Sequence, residues 1–211
     1  ASDVYKRQLE DRLKAIPGVE SAGSTFGAPL GSTGATGTAH VEGRPEAPPG
    51  QEIQAQMRSV TPGYLETMGI PVLRGRGIQD SDRPGGVEVA LMNETLARIL
   101  FPGEDPLGKR VQVTVSFGHG FPFRTVVGIV ADTRNTALTR EPEGGFYVPH
   151  RQAGPGYMTV AVRSRPGMAS LAEDIRREVV ALDPNLPLRD LETMSQVVLE
   201  EMAPTRFFLS L

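Results

Sequence analysis

Few residues in this 211-residue chain have the types and spacing for chemistry, and each candidate has a plainer alternative. Gly103-Glu104-Asp105-Pro106-Leu107-Gly108-Lys109-Arg110 fits the G-x-x-x-x-G-K pattern of a phosphate-binding loop. Such a loop needs a strand before it and a helix after it, so that helix-terminal amides face the phosphates. Here a helical pattern precedes and an alternating strand pattern follows. Arg110 stands where Ser or Thr would hold magnesium, and Glu104 and Asp105 would repel phosphate. His40, His119 and His150 are far apart, and none has a second ligand at helical spacing, so no metal site is expected. Ser24, Ser32 and Ser170 lack the G-x-S-x-G context of an exposed nucleophile. Asp132 follows an apolar strand pattern, where α/β enzymes place catalytic carboxylates. No base pairs with it in the sequence, and Asp132-Thr133 also reads as a turn start. Asn93-Glu94-Thr95 is formally a glycosylation sequon, but a helix cap explains it. Arg74 and Arg76 read as a solvated edge rather than an anion site. The expectation is no catalytic, cofactor-binding or metal-binding residue, and no enzyme.

Composition narrows the classes further. Net charge is −3 with no basic stripe, which argues against nucleic acid as a partner. Cysteine is absent, which removes disulfides, thiolate nucleophiles and zinc–thiolate sites together. Apolar residues make up 39%, enough for a core. No window approaches ~18 consecutive apolar residues, so no membrane span is expected within this stretch, and no signal peptide is visible. Arg206-Phe207-Phe208-Leu209-Ser210-Leu211 turns apolar at the end, as a transmembrane helix cut at its first turn would. Ser2 to Gln8 resembles translated sequencing-adapter readthrough, which predicts that residues 1–8 are non-native and the chain a fragment of a longer protein.

The elements that would position any site follow from periodicity. Leu9, Leu13 and Ile16 share a helix face that Pro17-Gly18 ends. Val19–Phe26 and Thr38–Glu42 read as strands around a Gly/Ser/Thr-rich loop, Gly27 to Thr38. Ile53, Ala55 and Met57 alternate with Gln54, Gln56 and Arg58, the pattern of a strand with one wet face. Strands are expected at Val87–Leu91, Arg110–Phe117, Phe123–Ala131, Phe146–Pro149, Tyr157–Arg163 and Leu186–Asp190. Gly118-His119-Gly120 reads as a hairpin tip. Asn93 caps a helix whose Leu96, Ile99 and Leu100 face inward. Ser170 and Glu173 have capping-box spacing before the stripe Leu171, Ile175, Val179, Leu182. A last helix runs from Glu192 to Met202.

Thr61 to Ile78, TPGYLETMGIPVLRGRGI, has the most complete local grammar. Thr61 can N-cap a short helix, Pro62 suits its first turn, and Gly69 is placed to end it in a left-handed conformation. Ile70 to Leu73 then reads as a strand. The whole predicts an α+β fold: a porter-like layer, residues 1–60 plus 151–211, interrupted by a β-rich subdomain at 61–150.

VTPGYLETMGIPVLRGRGI, VALMNETLARILFPGEDPLGKRV and VVGIVADTR, in that order, resemble the extracytoplasmic core domain of MacB-like ABC-transporter permeases, including FtsX-like permeases of the duplicated acidobacterial type. The likeness runs from Ile16–Glu20 to Leu182–Leu188. It implies that the phosphate-loop look-alike is the family's DPLGKR segment, not a nucleotide site. It also implies a bacterial inner-membrane protein whose domain lies on the periplasmic side, as a moving part rather than a catalyst. The implied partners are the protein's own transmembrane helices, an ABC ATPase subunit, a second permease copy and a periplasmic adaptor. Two rival readings are a ligand- or adaptor-binding module, using the Gly27 to Thr38 loop or a cleft, and a hydrolase using Asp132.

Overall fold

The computed structural model describes residues 3–26, 35–115, 121–133, 141–153, 158–168, 170–186, 188 and 191–199. The loop at 27–34, the tip at 116–120 with His119, most of the strand expected at Leu186–Asp190, and the apolar end lie outside them. The fold is α+β, with a nine-stranded mixed sheet. In chain order the elements are α1 (Asp3–Ala15), β1 (Val19–Thr25), β2 (Ala35–Val41), β3 (Gln54–Val60), α2 (Tyr64–Met68), β4 (Val72–Gly75), β5 (Val89–Asn93), α3 (Glu94–Leu100), β6 (Arg110–Val115), β7 (Arg124–Val130), β8 (Gly145–Pro149), α4 (His150–Ala153), β9 (Thr159–Ser164) and α5 (Leu171–Leu182).

Six strands pair in a closed circuit, β2-β6-β7-β5-β8-β3, because β3 also pairs with β2. Closure removes edges, which a sheet must otherwise protect. The interior is filled from alternating positions: Val111, Val113 and Val115 of β6, Ala35 and Ala39 of β2, Ala55 and Met57 of β3, Ala90 and Met92 of β5. The small alanines leave room for Met57, Met92 and Phe146 at the centre, as close packing in a narrow circuit requires. Over Arg110–Val115 the alternation is thus a barrel wall, buried on its valine face.

The circuit opens at two corners. One edge of β3 pairs with β2 over 54–57, and at Val60 with β1. One edge of β7 pairs with β6 near Arg124–Thr125, and over 128–130 with β4. β1 carries β9 on its other side. Against this β1–β9 ribbon lie α1 and α5, with Leu13, Ile16, Ala22, Ile175 and Val179 buried together.

Between ribbon and barrel sits the Thr61–Ile78 stretch, an elbow of helix, reversal and strand. Val60, Tyr64, Leu65, Ile70 and Ile78 bury against Leu91, Val130 and Tyr147 of the barrel wall. The helix ends as its sequence predicts. Gly69 has φ 69°, its amide donates to the Glu66 carbonyl at 3.0 Å, and the Ile70 amide reaches the Leu65 carbonyl at 2.8 Å. That is a Schellman ending with its apolar contact, Leu65 to Ile70, in place. The strand after it starts later than expected, at Val72, and all four of its residues are exposed.

Other local readings change. Val87 is exposed and the buried strand begins at Val89, because β5 is central and covered on both faces. Ile99 is 48% exposed; only Leu96, Ala97 and Leu100 of α3 turn inward. Ser170 makes no side-chain cap: its hydroxyl donates to Asp174, and Glu173 pairs with Arg176. Replacing Gly69 with Val forces a β-branched residue into the left-handed region, and its Cβ would lie 3.2 Å from the Arg163 guanidinium. The expected cost is about 1 kcal/mol or more, read as a lower urea midpoint; an unchanged midpoint would mean the ending carries no strain.

Candidate functional site

The polar residues that converge are not those with catalytic spacing. They lie where α1, β1 and the start of α2 meet. Glu10, 5% exposed, sits on the flank of the apolar stripe of α1, three residues before Leu13. Its Oε1 accepts from the Ser24 hydroxyl and, at 2.8 Å, from the Thr61 hydroxyl. Thr61 Oγ1 in turn accepts from the Ser24 amide at 2.8 Å. The Thr61 amide donates to the Ser24 carbonyl at 2.9 Å, and the Tyr64 amide donates to the Thr61 carbonyl at 3.1 Å. Thr61 is therefore not the side-chain cap its position suggests. Gly63 takes the cap position without a side-chain bond, and the Thr61 hydroxyl turns toward Glu10 instead. Burial pushes the Glu10 carboxyl above its ordinary range, against the opposing pull of the two hydroxyls and Lys14.

The helix that starts at this corner is held from three more sides. A Cβ on Gly23 would come within 2.3 Å of the Tyr64 amide nitrogen, so the first turn of α2 lies backbone to backbone on β1. Arg163 of β9 donates through Nε to the Thr67 carbonyl at 2.9 Å, satisfying a carbonyl that the helix end leaves open. The Tyr64 ring is fully buried, and burial pushes its hydroxyl up to about 12, so it stays neutral. Beside the corner a cavity of about 180 Å³ opens between α1, Pro62-Gly63, the loop at 79–82 and His150. His150 is buried; its Nδ1 lies 3.0 Å from the Ser59 hydroxyl and its Nε2 2.5 Å from Lys6 Nζ.

Of the residues weighed for chemistry, Ser24 lies in this corner and His150 beside it, Ser32 and His119 lie outside the described residues, and the others are engaged elsewhere. Both Asp132 carboxylate oxygens accept from Thr95, one from its amide at 2.9 Å and one from its hydroxyl at 2.8 Å, so Asp132 tethers the start of α3. Asn93 does cap α3, accepting from the Leu96 amide at 3.0 Å; buried, and also bonded to Gly145 and Glu143, it is closed to a glycan. The phosphate-loop look-alike runs from α3 through a turn into β6. Lys109 pairs with Glu104, and Asp105 with Arg74. The Leu107 amide, aided by Arg74, holds the Asp105 carboxyl below its usual range. Arg76 makes a bidentate pair with Asp82, both contacts 2.9 Å. His40 borders an open groove of about 460 Å³ against the Pro-rich turn at 46–49. No group of three potential metal ligands forms among the described residues.

Sequence reasoning passed over Glu10 as one polar residue among several on a surface helix. The available signal was its place on the flank of the stripe that Leu9, Leu13 and Ile16 form, where a carboxylate needs partners.

The pattern of the MacB-like periplasmic core domain matches residues 2–178. The chain belongs to that family; its class is the extracytoplasmic domain of a MacB-like ABC transporter permease. No curated protein matches it. Among solved structures it is similar to the periplasmic region of MacB from Actinobacillus actinomycetemcomitans, at 17% identity and TM-score 0.57, over 83% of this chain and 73% of that one. It is likewise similar to the extracellular domain of the noncanonic ABC-type transporter YknZ from Gram-positive bacteria, at 18% identity and TM-score 0.56, over 83% and 82%. A domain of a Porphyromonas gingivalis permease protein aligns at 19% identity and TM-score 0.53, over 89% and 73%. At these identities the likeness shows the fold.

Two predictions follow from the corner's geometry. Gly23→Ala should cost about 2–3 kcal/mol in denaturant unfolding, because backbone, not a side-chain end, must give way. Glu10→Gln keeps an acceptor for both hydroxyls and removes the buried charge. Because folding raises this carboxyl's pKa, its contribution to stability is complete below the unfolded value of about 4.3 and fades as pH rises through the folded one. The glutamine protein should therefore gain melting temperature relative to wild type between pH 4 and neutrality. A relative loss over that interval would show that Lys14 and the hydroxyls outweigh burial.

Proposed function

We propose that this domain transmits ATP-driven motion of a permease's transmembrane helices to a substrate or partner outside the membrane. The observation that carries the reading is the fastening of α2. It is tied to α1 through Glu10–Thr61, to β1 by backbone contact, and to β9 through Arg163. Through Gly69 and Ile70 it continues directly into β4, which pairs with β7 of the barrel. A displacement of α1 thus has a short, stiff route into the barrel. In this reading the ribbon of β1 and β9 with α1 and α5 receives the motion, and the barrel, which takes β2 and β3 from residues 1–60 together with strands of 61–150, delivers it.

The partners are then the protein's own transmembrane helices, an ABC ATPase subunit, a second permease copy and, in an efflux assembly, a periplasmic adaptor. The setting is the bacterial inner membrane, with this domain outside. No described helix is long and apolar enough to cross a membrane. A binding role is compatible with this: the groove beside His40 is open between β2, β6 and the Pro-rich turn.

Because this chain has no cysteine, a single Leu73→Cys on exposed β4 can carry a spin label. In the membrane-embedded permease with its ATPase, the label-to-label distance across the dimer should change by several ångströms between ATP-bound and nucleotide-free states. An unchanged distance would rule out the mechanical role.

A further inference from the structure

Apolar contacts between α1 and the β1–β9 ribbon hold the helix down but do not fix its position along its axis. Leu13, Ile16, Ala22, Ile175 and Val179 could slide by fractions of a turn at little cost, because hydrophobic burial is non-directional. Tyr5 and Arg12 tie α1 to α5, and Lys6 ties it to His150; the hydrogen-bonded carboxylate on the flank of that stripe is different, because it ties the helix directly to the β3–α2 corner. It fixes one register. We propose that Glu10 is the latch that makes α1 and the β3–α2 corner move as one body, by taking the Ser24 and Thr61 hydroxyls on a single carboxylate oxygen.

Three observations support the assignment. A leucine in this position would extend the apolar stripe without the desolvation cost of a buried carboxylate, so the acid is a poor choice for stability alone. Thr61 is held by its amide, its carbonyl and both roles of its hydroxyl, so it cannot follow α1 without carrying the first turn of α2. The corner has a second clamp on the far side, Arg163 to Thr67, so a push at Glu10 rotates or translates α2 as a unit instead of unwinding it. The latch stands on this geometry; its consequence in a working permease rests on the mechanical reading above.

The test separates the two. In native-state hydrogen exchange on this chain, Glu10→Leu keeps the packing and removes the acceptor. The amides of Thr67, Gly69 and Ile70, which close α2 on the Gly63, Glu66 and Leu65 carbonyls, should then exchange at least about tenfold faster. Glu10→Gln, which retains an acceptor oxygen, should stay near the wild-type rates. Leu13→Ala, a packing loss on the same helix, should speed the α1 amides and leave those of α2 unchanged. The latch is overturned if Glu10→Leu leaves the α2 amides at wild-type rates, or if Leu13→Ala speeds them equally. In the assembled permease, Glu10→Leu should cut the ATP-dependent shift of the Leu73→Cys label by half or more, while Glu10→Gln keeps it. A shift undiminished in the leucine protein also overturns the latch. If wild type shows no shift, the mechanical reading fails, and the exchange measurements still decide the latch.

Discussion

A backbone edge can be paired only once at each residue, and two strands in this fold divide an edge between two partners. β3 gives the first half of one edge to β2 and its last residue to β1. β7 gives its first residues to β6 and its last to β4. Everything else is arranged around those two handovers. Because β2 and β6 also pair with each other, six strands close into a barrel. Because they leave β3 and β7 early, the ribbon of β1 and β9 can be spliced on at one corner and β4 at the other. A fully closed circuit would have had no edge to offer a second layer.

The splice explains why the elbow at 61–78 is so tightly specified. It leaves β3 at the first handover and arrives at β7 at the second, over a short length of chain. A flexible connection could span the same gap. This one instead buries Tyr64, Leu65, Ile70 and Ile78 against the barrel wall and fixes its reversal with a left-handed glycine. Burial of this kind over so few residues removes the freedom a linker would have, at the cost of tolerating almost no substitution at Gly23 or Gly69. Rigidity between layers is thus a property of the connection rather than of either layer.

How much of this the sequence discloses depends on how local the cause is. The valine alternation of 110–115, the Asn93 cap and the Gly69 stop depend on neighbours within a few residues, and each takes the form its pattern predicts. Thr61 and Ser170 carry equally good local signals that tertiary contacts override. Glu10, 51 positions away in sequence, competes for the Thr61 hydroxyl, and Asp174 takes the Ser170 hydroxyl. Ile99 follows the helical period, but α3 is covered on one side only, so it stays in water. The closed circuit was the least legible feature. It rests on pairing of 37–41 with 111–115, and nothing in either segment names the other. Periodicity reaches the α+β class with a β-rich insertion, and the family resemblance agrees with that division; the circuit itself is set by long-range strand pairing.

The distribution of polar groups among the described residues bears on what this domain's side chains are used for. A catalytic site keeps some donors or acceptors free for the substrate and perturbs them with neighbours. Here the groups with suggestive spacing are taken up by the fold. Asp132 gives both oxygens to Thr95, Asn93 bonds on three sides, Lys109 faces Glu104, and Arg76 faces Asp82. The deepest carboxylate, Glu10, is shielded between hydroxyls at a junction of three elements, where a charge can set registry. A buried acid shared by three elements at a joint is suited to fixing how two parts of a chain move together.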